Sequence, residues 1–179
     1  MLQDIREVLI SKDAIEAKTK ELAERISRDY KGKDLLVVGV LKGSVIFASE
    51  LIKNITIPCE IDFMAVSSYG SSSETTGVVR ILKDLDSEIS GKHILIVEDI
   101  VDSGVTLSYL LNYLKTRNAS SVEIASLLTK PSRRKVDIDC KYVGFETPDE
   151  FLVGYGLDYA EKYRNLPFIG ILKREVYEK

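Results

Sequence analysis

The string Ile96-Val97-Glu98-Asp99-Ile100-Val101-Asp102-Ser103-Gly104-Val105-Thr106 concentrates more chemistry than any other part of the chain. An apolar strand ends in two adjacent acids, Glu98 and Asp99. A third acid, Asp102, opens a Ser-Gly-Val-Thr turn at the start of a helix. Such a turn presents backbone N–H groups and the positive end of a helix dipole, which suits a phosphate. The hydroxyls of Ser103 and Thr106 add further donors. Acids beside a phosphate need a separate task. Glu98 and Asp99 can accept hydrogen bonds from vicinal hydroxyls or hold Mg2+, which takes oxygen ligands and keeps several waters. A ribose phosphate with a metal would satisfy both halves of the string. The spacing is neither that of a Walker A loop nor that of G-x-G-x-x-G. Taken alone, the two acids also read as a strand end that caps a helix.

Three other segments carry polar or aromatic groups that could join such a site. Leu41-Lys42-Gly43-Ser44 follows an apolar run; by itself it reads as a tight strand-to-helix turn with a solvated lysine. Lys130 opens the basic cluster Lys130-Pro131-Ser132-Arg133-Arg134-Lys135, a solvated turn or a small nucleic-acid patch. Phe151 to Tyr159 reads FLVGYGLDY, in which Phe151 and Leu152 could equally be core. Ser67 to Gly77 (SSYGSSSETTG) is eleven residues without an aliphatic side chain, lying between two strands. A hairpin there would need about two to five residues, so the excess reads as a surface loop or as a lid over a site.

These residues hang on an alternation of strand and helix periods. Ser11 reads as an N-cap with Asp13 in the first turn, followed by Ile15, Thr19, Leu22 and Ile26 at helical spacing, and Tyr30-Lys31-Gly32 closes that helix. Leu35 to Leu41 is a continuous apolar run, as expected of a strand covered on both faces. A helix with Val45, Phe47 and Leu51 follows, then strands at Glu60 to Val66, Val78 to Leu82 and His93 to Glu98. After the acidic string comes a helix with Leu107, Leu110, Leu111 and Leu114 on one side. Further strands are expected at Ser121 to Thr129, Tyr142 to Phe145, Phe151 to Val153 and Phe168 to Leu172. This order predicts an α/β fold with a largely parallel sheet, and such sheets bind ligands beyond the carboxyl ends of their strands.

Composition removes several classes of function. The chain has 179 residues, enough for one domain with a substantial core, and 25 basic against 28 acidic residues give a net charge of -3. A protein held to nucleic acid or membrane by bulk charge is usually basic. Cys59 and Cys140 are the only cysteines, too few for a disulfide framework, and His93 is the only histidine, which excludes a His-rich metal centre. No window approaches 18 uncharged apolar residues, and Asp4 and Glu7 argue against a signal peptide. A cytoplasmic location is the expectation.

The 96–106 string resembles the phosphoribosyl diphosphate motif of type I phosphoribosyltransferases. Over nearly its full length the chain is similar to the bacterial hypoxanthine-guanine phosphoribosyltransferase family. The resemblance implies a largely parallel twisted sheet flanked by helices, with a small hood built from the N-terminus and the C-terminal segment. It implies a single domain over 1–179, with the core at about 11–130, the hood at about 1–10 and 131–179, and a mobile lid at 67–77 that includes Ser68 and Tyr69. The implied substrates are phosphoribosyl diphosphate and a 6-oxopurine, and Mg2+ is the implied cofactor.

Residue roles follow from the same likeness. Glu98 and Asp99 meet the ribose hydroxyls and the metal shell. Asp102, Ser103, Gly104, Val105, Thr106 and Leu107 wrap the 5′-phosphate, with Asp102 also the acid/base near the purine. Lys42, Gly43 and Arg164 contact diphosphate, and a cis peptide precedes Lys42. Lys130 meets the purine 6-oxo group, Phe151 stacks on the ring, and Leu152 offers backbone groups to its edge. Asp158 binds a second Mg2+ or the purine 2-position. A homodimer or homotetramer is implied, without nucleic-acid or membrane partners. The alternative from another class is a non-catalytic regulator of the same fold that senses phosphoribosyl diphosphate.

Overall fold

The computed structural model describes residues 1–68 and 78–178. Helix α1 (Lys12–Asp29) begins at Ser11, whose Oγ accepts from the Ala14 N–H at 3.2 Å. That bond satisfies one of the orphan donors of the first turn. Strand β2 (Leu35–Leu41) is buried from Leu35 through Val40, and the chain then turns into α2 (Val45–Asn54). β3 (Glu60–Ser68) and β5 (His93–Val101) flank β2 in parallel, while β4 (Val79–Lys83) pairs antiparallel with β3. α3 (Val105–Lys115) leads into β6 (Ser121–Thr129), and β7 (Tyr142–Glu146) closes the far edge. The resulting order is β4-β3-β2-β5-β6-β7.

Side-chain alternation along the strands divides the core into two layers. Leu35, Val37, Leu95 and Val97 pack with Ile15, Leu22, Phe47 and Leu51 of α1 and α2. Leu36, Val38, Ile94 and Ile96 face the other way onto Leu107, Leu110 and Leu114 of α3. Both faces of the sheet are therefore covered, which is why these strands read as unbroken apolar runs.

A second, three-stranded sheet adjoins the first, its Leu152, Ile169 and Ile171 sharing a core cluster with Val97, Leu127 and Leu128. It joins β1 (Ile5–Ile10), β9 (Ile169–Leu172) and β8 (Leu152–Val153), with the short helix α4 (Arg174–Tyr177) following β9. No helix of the described residues is long and apolar enough to cross a membrane.

Three expectations are corrected. β5 does not stop at Glu98 but runs to Val101, because Ile100 and Val101 continue the ladder against Leu128 and Thr129 of β6. Tyr142–Glu146, expected in the hood, is an edge strand of the main sheet, so the core extends beyond residue 130. Ser67 and Ser68, expected to begin the lid, belong to β3 and pair with Arg80 and Val79. Tyr69 and the remainder of the expected lid lie outside the described residues. Ile5–Ile10 is a strand that no alternation in its sequence announces, since most of its side chains are exposed or only partly covered.

Candidate active site

β5 carries Glu98 and Asp99 to the carboxyl end of the sheet, and Asp102 follows its last residue. Gly104 caps α3 with a φ of 83°. A side chain there would also meet Ile138 Cδ1 at 2.8 Å and the Val136 carbonyl at 3.2 Å. Two requirements, left-handed backbone and absent Cβ, thus fall on one glycine. The loop is held from below by residues after β6. The Ser103 carbonyl accepts from the Lys135 and Val136 N–H groups at 2.9 and 3.2 Å. Arg134 Nε donates to the Asp102 carbonyl at 3.2 Å, and its Nη2 donates to Thr129 Oγ1 at 2.7 Å.

Two cavities open here. The first, about 250 Å3, is lined by Glu98, Asp99, Ser103, Gly104, Thr106 and Leu107, together with Ile100 and Asp102. The second, about 400 Å3, is lined by Lys130, Arg133, Phe151, Leu152, Leu157, Asp158 and Tyr177, again with Ile100 and Asp102. Ile100 and Asp102 therefore stand at the seam, reached from both sides.

In the larger cavity Lys130 is nearly buried and its Nζ donates to the Glu150 carbonyl at 2.7 Å. Burial pulls the ammonium pKa below that of an ordinary lysine, against the opposing pull of Asp102. Phe151 is stacked against Tyr177 with centroids 4.7 Å apart and meets the edge of Tyr159 at 5.5 Å. The aromatic floor of the cavity is thus fixed by two further rings.

The segment after β2 joins the site through glycine contacts. The Leu41–Lys42 peptide is cis. A Cβ on Gly43 would occupy the Asp99 carboxylate, and a Cβ on Gly156 would occupy the Gly43 carbonyl oxygen. Asp99, Gly43 and Gly156 are therefore in direct succession, linking β5, the 41–44 turn and the segment after β8. Arg164 Nη1 donates to the Gly156 carbonyl at 2.7 Å, and Nη2 lies 3.1 Å from Asp158 Oδ1. Ser44 Oγ and Arg164 Nε are buried without a hydrogen-bond partner among the described residues.

Burial and the neighbouring Asp99 raise the Glu98 carboxyl well above the usual range. Asp99 is raised by burial, opposed by the Ile100 N–H and by Arg164. Two adjacent carboxyls that ionise reluctantly would be relieved by a cation, and their oxygens suit a hard one. Asp158 stands apart: its second oxygen accepts from the Glu161 N–H at 2.9 Å. Among the described residues no three His, Cys, Asp or Glu side chains gather as a metal cluster.

Several residues at the site carry no signal strong enough to single them out in the sequence. Arg133 Nε lies 3.3 Å from Asp102 Oδ1, and its Nη1 lies 3.5 Å from Asp149. Arg133 and Arg134 are legible only as members of a basic cluster. Tyr177 and Glu161 have no pattern around them at all.

Residues 9–160 match the family model of the phosphoribosyl transferase domain. The hypoxanthine-guanine phosphoribosyltransferase of Bacillus subtilis is 54% identical over 178 residues, covering 99% of each chain. That of Streptococcus thermophilus is 52% identical over 177 residues, covering 99% of this chain and 98% of its own. The crystal structure of a hypoxanthine phosphoribosyltransferase from Staphylococcus aureus superposes with a TM-score of 0.98 at 53% identity, covering 100% of this chain and 97% of that one. A family model that matches most of the chain, and relatives more than half identical along their whole length, lead to one assignment: the chain belongs to the phosphoribosyl transferase family.

Proposed function

We propose that this enzyme transfers the 5-phosphoribosyl group of 5-phosphoribosyl 1-diphosphate to hypoxanthine and guanine, giving the nucleoside monophosphate and diphosphate. The observation that carries the reading is the seam between the two cavities. A sugar phosphate in the smaller cavity and a purine in the larger would bring their reacting atoms together at Ile100 and Asp102. Holding two reactants in such a geometry is itself a large part of catalysis.

A purine nitrogen bonds to C1 of the ribose as the bond from C1 to diphosphate oxygen breaks. The proton that this nitrogen system releases passes to the Asp102 carboxylate. Ser103, Gly104, Val105, Thr106 and Leu107 hold the 5′-phosphate at the start of α3, where N–H groups converge. Glu98 and Asp99 orient the ribose hydroxyls and are the residues that would hold Mg2+. When bound, Mg2+ neutralises charge on the departing diphosphate. Lys42, Gly43 and Arg164 receive that diphosphate, and the unpaired Arg164 Nε and Ser44 Oγ support an anion beside this turn. Phe151 stacks on the purine, with Leu152 and Asp158 at its edge.

Lys130 selects a 6-oxo group by donating to it, and an amino group there would leave a buried cation unmatched. Lys130→Met keeps the stem and removes the donor. It should raise the KM for hypoxanthine roughly tenfold to a hundredfold, the range for losing a charged hydrogen bond. The KM for phosphoribosyl diphosphate should stay within about twofold. Equal purine KM values in the two proteins would remove Lys130 from recognition.

The direct test incubates the protein with Mg2+, phosphoribosyl diphosphate and each purine, and follows nucleotide formation. Product with hypoxanthine or guanine supports the reading; absence of product with both overturns it. The reading extends to a cytoplasmic enzyme that assembles as a homodimer or homotetramer, which sedimentation would check. Ile61 and Leu82, 51% and 59% exposed on β3 and β4, leave apolar surface that a second copy would cover.

A further inference from the structure

We propose that Glu161 is a built-in competitor for the diphosphate subsite, its carboxylate standing where an anionic oxygen of the ligand must enter. Lys42 follows β2 and Arg164 lies in the segment after β8, yet both cations close on this one side chain. Lys42 Nζ is 3.1 Å from Glu161 Oε2, and Arg164 Nη2 is 3.4 Å from Glu161 Oε1. A carboxylate that bridges two cations through its two oxygens imitates the way a phosphate group would be shared between them.

The backbone that presents Glu161 is specific. Tyr159 and Lys162 exchange hydrogen bonds at 3.1 and 3.0 Å, and the two residues between them, Ala160 and Glu161, have φ of 50° and 63°. Positive φ at both central positions is the pattern of a primed hairpin turn, which ordinarily takes Asn and Gly. Here neither residue is a glycine. The turn is held instead by Asp158, whose Oδ2 accepts from the Glu161 N–H at 2.9 Å. The same Asp158 lies 3.1 Å from Arg164, so the turn and the cation it faces are fixed to one another.

The Lys42–Glu161 pair is easily opened. Both side chains are about two thirds exposed, at 68% and 65%, and exposed ion pairs are individually weak. Glu161 can therefore yield to a ligand with more charge while still opposing a weaker anion. The cations stay aligned when the subsite is empty, and the group that replaces diphosphate after it leaves is supplied by the chain itself.

This inference rests on the placement of diphosphate at Lys42 and Arg164. The test measures binding of inorganic diphosphate by calorimetry, with and without Mg2+, to the wild type, Glu161→Gln, Lys42→Ala and the double variant. Glu161→Gln should bind diphosphate about fivefold tighter, the scale of two exposed ion pairs. Its KM for phosphoribosyl diphosphate should fall by a similar factor, with the purine KM unchanged. Glu161→Asp, which keeps the charge, should restore affinity toward the wild-type value. In the Lys42→Ala background the gain should shrink, because one partner of the competitor is gone. If Lys42→Ala weakens diphosphate binding but Glu161→Gln binds no tighter, Glu161 is not a competitor and the subsite placement survives. If Lys42→Ala leaves diphosphate binding unaltered, the placement itself fails and the inference fails with it.

Discussion

Asp102→Asn is expected to lower kcat by about two to four orders of magnitude, the usual scale for removing a positioned general acid/base. The substitution keeps size and shape but leaves no group that takes a proton at this position. Binding should survive because the loop does not depend on the carboxylate for its conformation. Arg134 holds Asp102 through the main-chain carbonyl, and Ser103 is held by the Lys135 and Val136 N–H groups. The KM for phosphoribosyl diphosphate should therefore stay within about threefold. The substitution also breaks the ion pair to Arg133, whose guanidinium is already half exposed. Arg133→Ala serves as the control: it removes that pair while leaving the carboxylate. A steady-state comparison of the three proteins decides the matter. If Asp102→Asn turns over at the wild-type rate, the proton goes elsewhere. If Arg133→Ala matches the fall seen in Asp102→Asn, the ion pair matters more than proton transfer.

The second large effect is expected at Gly156. Its φ of 103° is a conformation that side-chain-bearing residues rarely adopt, and a Cβ there would occupy the Gly43 carbonyl oxygen. Gly156→Ala thus combines backbone strain with a clash against main chain, which cannot move aside as a flexible side chain would. A loss of about 3 kcal/mol is the scale for two such causes together. For a chain of this size that corresponds to a fall in Tm of roughly 6–12 °C. Gly32→Ala isolates the first cause, because Gly32 has a φ of 75° and nothing within 4 Å of its missing Cβ. It should lose only about 1 kcal/mol. Whatever Gly156→Ala retains of the fold should show a raised KM for phosphoribosyl diphosphate, since Gly43 shifts with the clash. Thermal unfolding and initial-rate kinetics on the pair of variants test both halves. Equal Tm losses would mean that the Gly43–Gly156 approach contributes nothing.

Sequence and structure agree best where local chemistry decides the outcome. Ser11 caps α1 because a serine at that position can satisfy an N–H three residues on, whatever the rest of the chain does. Buried parallel strands such as Leu35–Leu41 announce themselves because both faces are covered. The acidic string is legible for a similar reason, since its turn must start a helix with a glycine at the cap. Disagreement arises where long-range pairing decides. β1 has mostly uncovered side chains and exists because β9, at the opposite end of the chain, offers it a ladder. β5 outlasts its apolar core because β6 continues beside it as far as Thr129. Glu161 is invisible in the sequence for a further reason. Its position depends on consecutive non-glycine residues at positive φ, a backbone path that sequence preferences argue against. Arg133 and Arg134 are visible as charge but not as neighbours of Asp102, because the cluster gives no direction to either side chain.

The stretch from Arg134 to Ile138 has no regular secondary structure, and such stretches are ordinarily where insertions and deletions are accepted. Here it forms the underside of the 102–104 loop, with main-chain atoms and side chains each matched to a particular residue above. Adding or removing one residue would put the wrong N–H groups beneath the Ser103 carbonyl. A library varying loop length at this point should lose its active members. The same variation at Lys31 to Lys33, where Gly32 has open space around it, should keep them. Irregular backbone in this enzyme is thus of two evolutionary kinds, one free to drift in length and one as fixed in length as a strand.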